Sequence, residues 1–159
     1  MQRKTYSVTE TLQQFSSLRN AVIDSSSIIY LSKINVLDTL STSLSLWTVN
    51  DVIKECGIST HYIQIISEPT SLSADQQLIN LTLSKKFPVI SEDFKILSAV
   101  SKTDIPYFNS LMMISYLLFM QKISKNEFLH YRENLIQFAR YNDFVWNFGE
   151  ELFSAIDKS

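Results

Sequence analysis

A parallel β-sheet covered by helices on both faces, an α/β fold, is what this sequence predicts, and three observations predict it. Short apolar runs of strand type ("AVI", "LSLWTV", "YIQIIS", "FPVIS", "DIPYF") alternate with longer stretches whose apolar residues recur every three to four positions. Two glycines and three prolines are too few for a loop-rich sandwich and suit long helices. At 159 residues, with 45% hydrophobic and 19% charged residues, the chain fits one domain with a real core.

The elements follow in order. Residues 1–19 read as an N-terminal helical extension, because Ser7 and Glu10 have capping-box spacing and Val8, Leu12 and Phe15 share a face. A strand at 21–23 leads into a helix over 27–40, with Ile28, Leu31, Ile34 (or Asn35) and Leu37 on one side. The second strand spans 44–49; Asn50 caps a short helix over 51–56, which Gly57 closes in the left-handed conformation. Residues 62–67 form a third strand or an extended segment. Ser73 and Gln76 make a second capping box, for a helix reaching Lys86. Pro88 is tolerated at the start of the fourth strand. Glu92 or Asp93 then starts a helix through Lys102, and "DIPYF" is the fifth strand. Ser110 opens an apolar helix over 110–122, and Ser124 with Glu127 boxes one reaching Tyr141. Phe144, Phe148, Leu152 and Ile156, four apart, predict a helical tail over 143–157. The domain proper spans 20–140. The aromatic tail, 141–159, packs on it or on a partner.

The net charge is −2. Proteins that hold nucleic acid by bulk electrostatics are normally basic, so a polyanionic partner would need a local basic patch, bound cations or a second protein. The single cysteine, Cys56, excludes an internal disulfide framework and suits a reducing cytoplasm. The opening "MQRKTYSVTETLQQF" lacks the apolar stretch of a secretory signal, and the densest apolar run, 111–120, is too short for a bilayer. The expectation is a cytoplasmic protein with no membrane partner. Nothing resembles a Walker A loop, GxGxxG or GxSxG, which disfavours the common ATP, NAD and serine-hydrolase chemistries. His61, His130 and Cys56 have no zinc-site spacing.

Ligands of such folds bind outside the carboxyl ends of the strands, where strand order reverses, so acids that follow strands are the candidates. Asp24 follows the first strand, Glu55 lies in the helix after the second, Asp93 follows the fourth, and Asp75 opens the helix leading to it. Each also has a structural reading. Asp24 caps the next helix or faces a cleft, and Ser25, Ser26 or Ser27 could cap in its place. Asp75 sits in a first turn, where the helix dipole favours an anion. Asp93 is similar, and Glu92 could substitute for it in either role. Glu55 stands near a helix C-terminus, against the dipole, which implies a nearby cation or solvent exposure. Gathered together, the four would repel one another and burial would raise their pKa values, a conflict a divalent cation removes. All-oxygen donors point to Mg²⁺ or Mn²⁺, and to phosphodiester hydrolysis or phosphate binding.

The stretches "AVIDSSSIIYLSKINVLDTL", "WTVNDVIKECG", "LSADQQLINLTLSKKFPVISEDFKILSAV" and "TDIPYF" resemble, in order and spacing, the PIN domain, and most closely its small prokaryotic members found as toxins in toxin–antitoxin modules. The resemblance covers roughly residues 20–135. It matches Asp24 and Ser26 to the family's first motif, Glu55 in "VIKE" to the second, Asp75 to the third acid, and Ser91 with Asp93 to the T-x-D turn, serine standing where threonine is commoner. What it implies is an α/β/α sandwich and RNA cleavage. Asp24, Glu55 and Asp93 would ligate one or two Mg²⁺ or Mn²⁺ ions, and Asp75 would be a further ligand or orient a water. Ser26 and Ser91 would support the ligands by hydrogen bonds. Lys33, Lys54, Lys85, Lys86 and Lys95 are candidates for backbone contacts. A cognate antitoxin and a homodimer are the implied protein partners.

Two rival readings stand beside this one. The first is a non-catalytic interaction module, with Val8, Leu12 and Phe15 at one end and Phe144, Trp146, Phe148 and Phe153 at the other as anchors for a partner. The second is a receiver-like domain, which expects a functional lysine late in the sheet; none is singled out.

Overall fold

Five short parallel strands, β1 (Asn20–Ile23), β2 (Ser45–Val49), β3 (Ile63–Ile66), β4 (Val89–Ile90) and β5 (Tyr107–Phe108), form one sheet in the order β3-β2-β1-β4-β5 in the computed structural model, which describes residues 3–57 and 62–158. Ala21, Val22 and Ile23 of the central strand are fully buried, as a strand covered on both faces must be. The chain runs outward from β1 to β2 and β3, then returns to place β4 on the other side of β1. Strand order therefore reverses between β1 and β4, and the register sets Ile23 beside Ile90. The carboxyl ends of these two strands flank the crevice where α/β folds hold ligands.

Nine helices are described: α1 (Val8–Ser17), α2 (Ser25–Lys33), α3 (Leu37–Ser43), α4 (Asn50–Cys56), α5 (Ala74–Lys85), α6 (Phe94–Ser101), α7 (Ser110–Phe119), α8 (Lys125–Ile136) and α9 (Asp143–Asp157). Crossover connections, right-handed as a rule in such folds, put α5 and α6 together on one face and α2, α3, α4 and α7 on the other, with α8, α9 and α1 built outward from α7. The result is a three-layer α/β/α sandwich. No described helix is long and apolar enough to cross a membrane.

The N-terminal helix and the tail share the core of the body. Phe15 of α1 is fully buried, and its ring centroid lies 5.7 Å from that of Phe108, 5.5 Å from Tyr116 and 5.9 Å from Phe119. Leu152 and Ile156 of α9 belong to the same apolar cluster. At Gly149, α9 comes so close to α7 that an added Cβ would lie 2.6 Å from Leu111 Cδ2. Trp146, Phe148 and Phe153 are half-buried against the core, whereas Phe144 is 72% exposed.

Several expectations need correction. The helix expected over 27–40 is two helices. Leu31, Ile34, Val36 and Leu37 are all buried, more than one helical stripe can cover, and Asn35 breaks the helix at φ 60. The Val36 N–H then donates to Leu31 O at 2.9 Å, closing a Schellman turn with a residue type that tolerates the left-handed region. The box at Ser73 is one-sided: Ser73 accepts from Gln76 N, but the Gln76 amide bonds Asn80 Oδ1 instead of reaching back. Asn50 is the first helical residue of α4, with Val49 at the cap position, and Gly57 ends the helix at φ 62 as expected. The two helices after β5 stop short, α7 at Phe119 and α8 at Ile136. The boxes at Ser7 and Ser124 are complete.

Candidate functional site

Asp24 is the first residue past β1 and is 4% exposed. Its N–H still belongs to the sheet, donating to Ile90 O at 2.9 Å. It occupies the cap position of α2, yet its carboxylate makes no capping hydrogen bond. Instead Oδ2 accepts from Ser26 Oγ at 2.6 Å and from Ser91 Oγ at 3.0 Å. A hydroxyl has one proton to give, and the turn after β4 decides where each of these goes. The Glu92 N–H donates to Ser26 Oγ at 3.0 Å and the Asp93 N–H to Ser91 Oγ at 2.9 Å, so both hydroxyls accept from main chain and give their protons to Asp24. No described residue donates to Asp24 Oδ1.

The serines after Asp24 do not cap α2, contrary to the sequence reading. They are its first three helical residues, past the position from which a side chain can cap. Each serves a different carboxylate: Ser25 Oγ donates to Glu55 Oε2 at 3.1 Å, Ser26 to Asp24, and Ser27 to Glu92.

Asp93 caps α6, its Oδ1 accepting the Lys95 N–H at 2.8 Å, while no described residue donates to Oδ2. Asp75 lies in the first turn of α5. Burial first, then the charges of Asp93 and Asp24, push its carboxyl above the usual range, and Lys95 offsets part of this. Cys56, at the end of α4, is pushed up to about 11 by burial and then by Asp24 and Glu55. The charges of Asp24 and Asp93 therefore act on Asp75, with Lys95 as a local counter-charge. Glu55 is exposed and joins this rim through Ser25.

The structure thus ties Asp24, Ser26, Ser91 and the Asp93 main chain into one hydrogen-bonded unit, sets Asp75 within its electrostatic reach, and leaves Glu55 one serine removed. Among the described residues, no group of three His, Cys, Asp or Glu side chains closes in tightly enough to enclose a metal ion. His61 lies outside the described residues. His130 sits on α8, 3.3 Å from the Asn134 amide. Of the lysines considered, Lys33 lies over Phe138, Lys85 over Trp47, Lys54 is 4.0 Å from Asp51, and Lys86 ends α5. Lys95 is the one that acts on the acids.

Glu92 was misjudged from sequence. It cannot stand in for Asp93, because its side chain turns to the other side of the strand end. There its carboxylate accepts from the Ser110 N–H at 3.1 and 3.2 Å, from Ser110 Oγ at 3.0 Å, and from the hydroxyls of Ser27 and Tyr141. Burial pushes this carboxyl up against the pull of its donors. It fastens α2, the start of α7 and Tyr141 to the end of β4. The alternation of side chains along extended backbone was the available signal. Beyond Glu92 opens a cavity of about 500 Å³ that sequence reasoning did not find, since it is assembled from both chain ends.

Comparison of the chain with protein-family models, with curated proteins and with solved structures finds no significant match.

Proposed function

We propose that the chain is a PIN-like endoribonuclease dependent on Mg²⁺ or Mn²⁺, of the kind that serves as the toxin of a toxin–antitoxin module. One observation carries this reading: where strand order reverses, Asp24 is held through one carboxylate oxygen by two serine hydroxyls while its other oxygen meets no described donor, with Asp75 in electrostatic reach of Asp24 and Asp93.

The donor set suits a hard cation. Asp24, Glu55 and Asp93 would hold it, with Asp75 as a further ligand or as the group that orients a water. A bound ion would supply positive charge for the scissile phosphate and acidity for the attacking water. The chain's own part is to keep the carboxylates in place. Ser26 and Ser91 hold Asp24 Oδ2, the main-chain N–H groups of Glu92 and Asp93 aim those hydroxyls, and Ser25 steadies Glu55.

The test is Asp24→Asn. Metal-dependent cleavage of single-stranded RNA is expected to vanish while the thermal melt stays cooperative; full cleavage by this variant would sink the reading. One observation favours the non-catalytic interaction module instead, namely that no three described acids close around an ion-sized space. RNA or protein binding by the wild type, with no cleavage in Mg²⁺ or Mn²⁺, would decide for that module.

A further inference from the structure

The cavity beyond Glu92 is walled by the N-terminal segment, the end of β5 and the start of α9. Its lining is mainly apolar, and about 500 Å³ is within the size range of small-ligand sites. Two phenylalanines on its wall are largely exposed, Phe94 at 66% and Phe144 at 72%, a costly placement for rings that serve only packing. Phe144 contacts no other described ring. Arg3 lies with its guanidinium 4.9 Å from the Phe94 ring centroid, and Arg140 is exposed on the same wall. Neither arginine forms an ion pair with a described residue, although the chain as a whole is acidic. Tyr6 Oη, on the wall as well, is buried with no hydrogen-bond partner. Here is the local basic patch that a polyanion would require of a protein with net charge −2.

We propose that this cavity seats one unpaired base of a single-stranded RNA, stacked on Phe144, with Arg3 and Arg140 taking the adjoining phosphates. The inference rests on the nuclease reading and names the form of its substrate. The two places are neighbours along the chain: Glu92 lines the cavity, while Ser91 and Asp93 on either side of it belong to the acidic rim. A base flanked by phosphates matches the wall in kind, a flat apolar body beside aromatic rings and anionic groups beside arginines. A base still stacked within a duplex could not enter. An apolar peptide would fill the volume but would bring no anion to either arginine.

The experiment measures anisotropy of a short fluorescein-labelled single-stranded RNA with the full chain in EDTA, which prevents cleavage. Phe144→Ala is expected to weaken binding about tenfold, the effect of losing one base stack. Arg140→Ala should reduce the salt dependence by about one phosphate contact. An RNA with one abasic position, scanned along the strand, should lose affinity at a single place, and Phe144→Ala should abolish that loss. The matching duplex should bind more weakly than the single strand. Phe144 is exposed, so an unchanged thermal melt will show that the variant is folded. Binding by Phe144→Ala and Arg140→Ala equal to wild type, or an abasic scan with no sensitive position, overturns the inference. Cleavage separates the two readings. If Asp24→Asn stops cleavage while Phe144→Ala binds normally, the base seat alone falls. If the wild type never cleaves but the Phe144 and abasic effects hold, the nuclease reading alone falls.

Discussion

Asp24 can ligate a cation only if its hydrogen bonds leave an oxygen available, and the serines meet that condition by converging on Oδ2. Charge-assisted bonds of this kind are roughly twice as strong as neutral ones, so the carboxylate is held firmly from one side. Removing one of them acts on position more than on the fold. On the proposed nuclease reading, Ser91→Ala is expected to lower kcat for RNA cleavage by about tenfold or more while shifting the melt little, the loss usual when a group behind a metal ligand is removed. Equal kcat would show that Ser91 serves only the turn. Asp75 offers a pH test. Its folded-state pKa is raised by burial, Asp93 and Asp24. In the unfolded chain it ionises near the ordinary value of about 3.9. The contribution is therefore complete below that value and is lost as pH rises through the folded-state pKa. In EDTA, Asp75→Asn should be more stable than wild type at neutral pH, and the gap should close toward strong acid. Urea midpoints across that range check it, and a gap of constant size would contradict the coupling.

Elements end here where chain direction must change while apolar residues stay inside. The break between α2 and α3 is one case, and the end of α5 is another. Lys86 sits there at φ 57 with its N–H donating to Thr82 O at 2.8 Å, a left-handed cap made by a residue with a Cβ. That conformation costs an L-residue about 1–2 kcal/mol, while glycine adopts it freely at some loss of unfolded-state restriction. Lys86→Gly should therefore stabilise the protein by about 1 kcal/mol in urea unfolding, without touching activity, because the residue closes the end of α5 remote from Asp75. Destabilisation would mean that the lysine side chain has a role of its own.

For the molecule as a whole, the N-terminal extension is part of the body. Phe15 is enclosed by Phe108, Tyr116 and Phe119, so Phe15→Ala should cost about 3–5 kcal/mol, measured from denaturant midpoints. A loss within experimental error of zero would make α1 a separable appendage. The consequence for function is direct. The same N-terminal segment that precedes α1 carries Arg3 and Tyr6 to the cavity wall, and α9 brings Phe144 to it, so the site beyond Glu92 exists only when both chain ends are docked.

Caps, strand order along the chain and the five apolar runs were legible in the sequence because they depend on neighbours a few residues apart: Ser7 with Glu10, Ser124 with Glu127, Gly57 after its helix. The position of four acids after or between strands was legible for the same reason. Which way each side chain turns was not. Asp24 as cap or ligand, and Glu92 as substitute for Asp93 or anchor for α7, hinge on donors supplied from afar, Ser91 being 67 positions from Asp24 and Tyr141 49 from Glu92. Short-range spacing sets which elements form and in what order; only the packed sheet brings distant hydroxyls and carboxylates within bonding distance, and the direction of those bonds is what gives each acid its role.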